Sequence, residues 1–164
     1  MSGPSSHSSR VVRIPIPVEG RVPTGATNAY IVDDAFLIDP AGRTDDLDAA
    51  VDAAEIRHVA VTHAHPDHVG AVAEYAAETG ATVWCRRGFE SRFAAAAGVE
   101  PDRTVVEGTE MPVGDGLRVI DTQGHAPDHV AFETGEGTVC GDVAVAEGSV
   151  AVAAPEGDLR GYLV

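Results

Sequence analysis

A chain of 164 residues is long enough for one domain with a real core and too short for two comfortable ones. Its formal net charge is −15 and all eleven basic residues are arginine, with Arg86-Arg87 the only adjacent pair, so it lacks the clustered cations that a phosphate backbone needs. No apolar stretch of about 18 residues is available to span a bilayer and no basic-then-apolar leader opens the chain, which excludes a membrane partner and leads to the expectation of a cytoplasmic protein. The acidic, lysine-free balance suits a halophile-like surface kept soluble in a high-salt cytosol, and follows equally from high-GC codon bias.

Residues 1 to 10, rich in Ser and carrying His7, read as a disordered leader. Val11 to Val18 reads as an edge strand, because Pro15 and Pro17 remove donors from a ladder. Ala29 to Val32 and Ala35 to Ile38 are expected strands joined by the acidic turn Asp33-Asp34, and the second ends at Asp39-Pro40. From Thr44 the spacing predicts a helix, since Leu47, Ala50, Val51 and Ala54 fall on one face. Arg57 to Val61 is the next strand, with His58 in a structural role. Helical spacing then returns in Val69, Val72, Ala73, Ala76 and Ala77, closed by Gly80. Ala81 to Cys85 makes another strand, and Gly88 to Ala97 a short helix ended by Gly98. From Arg103 onward, turns at Gly108, Gly114-Asp115-Gly116, Gly124 and Gly135-Glu136-Gly137 separate short apolar segments, which reads as a run of antiparallel strands that includes Leu117 to Asp121 and Gly137 to Cys140. Pro155 is placed in the first turn of a last helix, with Leu159, Tyr162 and Leu163 on one face. Cys85 and Cys140 end apolar runs, which suits buried reduced thiols better than a disulfide. Such alternation of strands and helices is the habit of layered α/β (α+β) folds.

The chemistry is concentrated directly after Val59-Ala60-Val61. The segment Thr62-His63-Ala64-His65-Pro66-Asp67-His68-Val69-Gly70 places four metal-competent side chains within six residues, at a strand-to-helix turn. His63 and His65, two apart at the end of an extended segment, can face one ion, while Asp67 and His68 enter the helix and face a second. Ligand sets of this kind suit hydrolysis. A site for two ions needs ligands from further loops, and two strand ends in the second half offer them: Gly124-His125 and Gly141-Asp142. Either pair alone reads as readily as a turn.

With these residues the chain resembles the metallo-β-lactamase-fold hydrolase superfamily, whose H-x-H-x-D-H signature is met by His63, His65, Asp67 and His68. The resemblance covers residues 11 to 164 and implies a four-layer αββα metallo-β-lactamase sandwich. It implies that His63, His65 and His125 hold a first metal, that Asp67 and His68 belong to a second, and that Asp142 bridges the two. Asp67 would also orient the attacking hydroxide by accepting its proton. Asp39 would support the ligands, and His129 would either hydrogen-bond near them or pack at a strand start. Zinc is expected, one ion held firmly and a second weakly, with iron or manganese as lesser alternatives.

Gly124-His125-Ala126-Pro127-Asp128-His129, Gly141-Asp142 and Gly157 to Leu163 are similar to the lactamase-β-like protein 2 group, which includes endoribonucleases and is close to the glyoxalase II type thioesterases. In that family a further loop and a late histidine follow the region of Tyr162. The sequence stops at Val164, so the domain is expected to be incomplete at its C-terminus, without the last strand and helix, and an unpaired sheet edge would favour a homodimer. The expected function is a zinc-dependent hydrolase using a metal-bound hydroxide on a thioester or similar small ester-like substrate. One alternative is a metal-dependent RNA phosphodiesterase of endoribonuclease type, against which the acidic charge weighs. The others are a metal-binding but inactive short form and, least favoured, a one-iron dioxygenase.

Overall fold

Strand β1, Val11–Pro17, buries Ile14 and Ile16 and turns Arg13 and Pro15 outward, the period-two pattern of a strand with one wet face. Here, as throughout, the description follows a computed structural model that covers residues 10–19, 24–114 and 116–163. Nearly all of the expected leader, with His7, and Asp115 of the glycine turn lie outside them. β1 pairs only with β2, Ala26–Val32, and so forms the sheet edge that Pro15 and Pro17 require. Asp33 and Asp34 then turn the chain with φ of 51° and 53°, the Ala35 N–H donating back to Val32 O at 3.1 Å, and this three-residue connection delivers β3, Phe36–Ile38. β4, His58–Ala60, β5, Thr82–Arg86, and β6, Arg103–Val105, add in parallel to complete a six-stranded sheet in sequence order.

The antiparallel run expected from Arg103 therefore begins later. Only β7, Glu110–Met111, β8, Leu117–Asp121, β9, Val130–Thr134, and β10, Gly137–Val139, form the antiparallel second sheet, in the order β10-β9-β8-β7. Arg103 instead lies beside Trp84 in the first sheet, a partner chosen by the fold and not by the local pattern.

Helix α1, Asp45–Asp52, is capped by Thr44, whose Oγ1 accepts the Leu47 N–H at 3.1 Å. It packs Leu47 and Val51 against Ile31, Leu37 and Val59 on one face of the six-stranded sheet. The other face, with Phe36, Ile38 and Trp84, meets Leu117, Val119 and Phe132 of the second sheet, the Phe36 and Phe132 rings being 5.8 Å apart. Each such fully buried side chain contributes roughly 1.5–3 kcal/mol. A helical layer and two packed sheets of the αββα arrangement are thus in place.

Two helical expectations need correction. The helix after the histidine cluster is two helices, α2, Pro66–Val69, and α3, Val72–Thr79. The break falls where Gly70 presses on the chain after β3: a Cβ there would lie 2.1 Å from the Ala41 carbonyl oxygen, and the Ala71 N–H donates to Pro40 O at 2.9 Å. After the break α3 buries Val72, Tyr75 and Ala76 and leaves Ala77 exposed, so its core face includes a tyrosine that the apolar spacing passed over. Helix α4, Glu90–Ala97, ends at Gly98 as expected and sends Phe93 into the same core. The last helix, α5, Leu159–Tyr162, starts after Asp158, whose side chain accepts the Arg160 N–H, and Pro155 lies outside it. Leu159 and Leu163 are 60% and 73% exposed, so the expected apolar face is not packed; Tyr162 alone is anchored, its hydroxyl donating to Val143 O at 2.9 Å. Both cysteines are free thiols, Cys85 buried and Cys140 half-buried. His58 sits between Phe36 and Trp84 and accepts the Trp84 indole N–H at 3.3 Å, a structural role. Among the described residues no helix is long and apolar enough to cross a membrane.

Candidate metal centre

The carboxyl ends of β3 and β4 meet the loops after β8 and β10 at one edge of the sandwich, the place where α/β sheets gather side chains from several strands. Asp39 follows β3 with φ of 52°, and its carboxylate is buried. It accepts the Thr62 N–H at 2.7 Å, the Thr62 hydroxyl at 2.8 Å and the His68 Nδ1–H at 2.9 Å. The strained residue thus locks the first turn after β4 and aims one histidine.

The outward partners of the other imidazoles assign their tautomers. Thr62 Oγ1, its proton given to Asp39, accepts from His63 Nδ1 at 3.1 Å. His65 donates Nε2–H to Glu156 Oε2 at 2.7 Å, and His125 donates Nδ1–H to Ala151 O at 2.6 Å. Their remaining nitrogens carry lone pairs and converge: His63 Nε2 lies 2.8 Å from His65 Nδ1, which lies 3.1 Å from His125 Nε2. Three acceptor lone pairs at such distances repel one another unless a cation or proton lies among them. Nitrogens sharing a tetrahedral ion at 2.0–2.1 Å stand about 3.3 Å apart, so the arrangement is within a few tenths of an ångström of a zinc triad. Burial and the neighbouring imidazoles of His68, His129, His65 and His125 hold the His63 pKa well below its usual 6.5, which keeps it a neutral ligand.

A second group, His63, His68 and Asp142, adjoins the first. Asp142 stands in the turn Gly141–Val143 after β10 and spreads its oxygens: Oδ1 is 3.3 Å from His68 Nε2, and Oδ2 is 3.4 Å from His125 Nε2 and 4.0 Å from His63 Nε2. His68 is 2% exposed, and its Nε2 makes no hydrogen bond, since the contact to Asp142 lacks the alignment of one. A buried ring nitrogen without a hydrogen-bond partner beside a carboxylate fits a metal position. Burial opposes charge on His68, but Asp39 and Asp142 outweigh it and push its pKa up to about 10; a metal at Nε2 would have to displace that proton. Burial likewise works against the Asp142 carboxylate, while His68, His125 and His129 hold its pKa below the ordinary value.

The structure brings together His63, His65, His68, His125 and Asp142. Asp67 lies next to the second group, with Oδ2 4.0 Å from His68 Nε2, although its ligand atom does not fall within either cluster of three. His129 is occupied at both nitrogens: Nδ1 faces Thr122 Oγ1 at 2.8 Å, and Nε2 accepts the Asp142 N–H at 3.1 Å. Burial, then His125, pushes its pKa down to about 3, so it stays a neutral acceptor that holds the Asp142 main chain. Sequence spacing assigns no role to Thr62, Asp128, Glu156 or Arg92. Thr62, between the strand and the first histidine, and Asp128, inside the Gly124-to-His129 segment, carry a signal, whereas Glu156 and Arg92 carry none.

Residues 22–160 match the family model described as Metallo-beta-lactamase superfamily. The chain belongs to that superfamily. A hydroxyacylglutathione hydrolase of Rhodospirillum rubrum is 36% identical over 127 residues, which cover 75% of this chain and 46% of that protein. A second, from Methylococcus capsulatus, is 38% identical over 94 residues, 56% of this chain and 35% of that protein. The chain therefore spans less than half the length of either relative. Among solved structures, TTHA1623 in a di-iron-bound form is 29% identical with a TM-score of 0.69, covering 92% of this chain and 82% of that one. The BLEG-1 B3 metallo-β-lactamase, at 22% identity, shares the fold with a TM-score of 0.74 over 93% of this chain and 82% of its own.

Proposed function

We propose that this member of the metallo-β-lactamase superfamily is a metal-dependent hydrolase of small thioesters of the acylglutathione kind. The observation that carries the proposal is the convergence of the His63, His65 and His125 nitrogens beside His68 and Asp142. Similarity to hydroxyacylglutathione hydrolases selects the substrate class. These residues would hold a divalent ion, which when bound would supply a water of lowered pKa and polarisation of the carbonyl under attack.

The chain's own groups do the rest. His63, His65 and His125 would hold the first ion through Nε2, Nδ1 and Nε2. His63 Nε2 has one lone pair and cannot serve two ions, so a second ion would rest on His68 and Asp142 with Asp67 drawn in, and is held more weakly. Asp67, partly exposed and with Oδ2 4.0 Å from His68 Nε2, would accept the proton of the attacking water. Zinc suits this nitrogen-rich set; iron, which TTHA1623 held, is the alternative. The net charge of −15 favours a small substrate over a nucleic acid.

The test is turnover of an acylglutathione thioester by zinc-loaded protein, beside cleavage of single-stranded RNA. Thioester turnover without RNA cleavage supports the proposal. RNA cleavage alone replaces the substrate class, and metal binding with neither activity leaves a binding protein.

A further inference from the structure

We propose that Glu156, held by Arg92, is a positioning residue that fixes His65 in its ligand orientation, so that a surface arginine on α4 helps set the metal affinity of the first group. The inference rests on the metal-centre reading above. Arg92 forks in two directions. Its Nη1 and Nη2 donate to Glu156 Oε1 and Oε2 at 2.6 and 2.8 Å, a bidentate pair, and its Nε donates to Asp128 Oδ1 at 3.2 Å. Asp128 is 4% exposed, and its other oxygen accepts the Ala64 N–H at 2.8 Å, between His63 and His65 in the chain. One guanidinium therefore anchors both the main chain of the ligand turn and the carboxylate that receives the His65 proton.

The consequence lies in the tautomer. His65 offers a lone pair at Nδ1 only while its proton stays on Nε2, and Glu156 Oε2 at 2.7 Å is the acceptor that keeps it there. His63 and His125 obtain the same service from Thr62 Oγ1 and Ala151 O. His65 differs in depending on a side chain 91 residues away, itself 38% exposed and held by another side chain. Its side chain is a quarter exposed, so the charged clamp adds to a burial restraint that is complete for His63 and partial for His65. Ala151 and Glu156 come from one stretch before α5, which thereby closes over the outward nitrogens of two of the three histidines.

The experiment measures zinc affinity by chelator competition for the parent, Glu156→Ala, Glu156→Gln, Arg92→Ala and the double alanine variant, with metal-free thermal melts of each. Glu156→Ala is expected to weaken zinc binding about 10–100-fold, with little change in the metal-free melt because the pair is partly exposed. Glu156→Gln, whose amide oxygen can still accept the His65 proton, recovers most of that loss. Arg92→Ala weakens binding, and the double variant loses less than the sum of the two single losses, because the Glu156 part is shared while the Asp128 anchor belongs to Arg92 alone. Undiminished affinity in Glu156→Ala overturns the inference. So does an equal loss in the Ala and Gln variants that tracks a fall in the metal-free melt, which marks a merely structural contact. Should Glu156→Ala not fold, the comparison of Arg92→Ala with the parent decides on the same criteria. A folded parent that binds no zinc refutes the metal centre itself, and this inference with it.

Discussion

Replacing Gly141 with alanine strikes the site through its backbone. Gly141 has φ of +53°, where a side chain costs about 1–2 kcal/mol. The added Cβ would lie 2.7 Å from both His129 Nε2 and Thr62 Oγ1, and 2.8 Å from Thr62 Cβ. Neither neighbour can yield, because both are fully buried and Thr62 is tied to Asp39. The turn must move instead, which breaks the Asp142 N–H bond to His129, worth about 1 kcal/mol, and carries the carboxylate away from His68 and His125. The sum is about 2–3 kcal/mol, or a fall in Tm of about 4–12 °C for a chain of this size. Calorimetry of metal-free protein reads the first effect, and zinc titration reads the second as loss of the weaker ion before the stronger. A variant that melts within about 1 °C of the parent and titrates identically would refute the geometry assigned to the Gly141–Val143 turn.

Other consequences are simpler to measure. Bonds from Tyr75 and Arg43 hold the Asp48 carboxyl below its ordinary pKa of 3.8 against the opposing effect of burial. The folded state therefore binds fewer protons than the unfolded chain, and Asp48 stabilises above pH 3.8 and ceases to do so as the pH falls through the lowered value. Asp48→Asn should accordingly lower the urea midpoint at pH 7, by a margin that shrinks below pH 4. Equal margins at both ends would contradict that assignment. Burial, then Glu90 and Asp128, pushes the Cys85 thiol up to about 12, whereas Cys140 is half-buried beside the ligand turn. Mass spectrometry of protein treated with iodoacetamide should find Cys140 labelled first. Earlier labelling of Cys85 would mean that the six-stranded sheet opens there.

Local chemistry was the legible part of this molecule. His63, His65 and His68 lie within one turn, so their proximity follows from chain geometry alone, and Pro15 and Pro17 mark the edge strand because a missing donor has the same effect in any fold. Longer-range features resisted. The three residues of β6 carry no alternation that could choose between a parallel and an antiparallel partner. The break between α2 and α3 is imposed by Ala41, which presses on Gly70 from another loop. Asp67 matches the signature, and its Oδ2 lies 4.0 Å from His68 Nε2, beside the two clusters of three and within neither. Glu156 gave no warning, since a glutamate between Pro155 and Gly157 looks like any solvated turn residue until Arg92 and His65 are seen to flank it.

The central claim is that His63 Nε2 lies at the junction of a real metal centre. Elemental analysis of chelator-free protein, for the parent and for His63→Ala confirmed as folded by circular dichroism, tests it most directly. At least one zinc or iron per parent chain and essentially none in the variant is the predicted result. A folded parent without metal, or a variant that retains the parent's full content, would contradict the account.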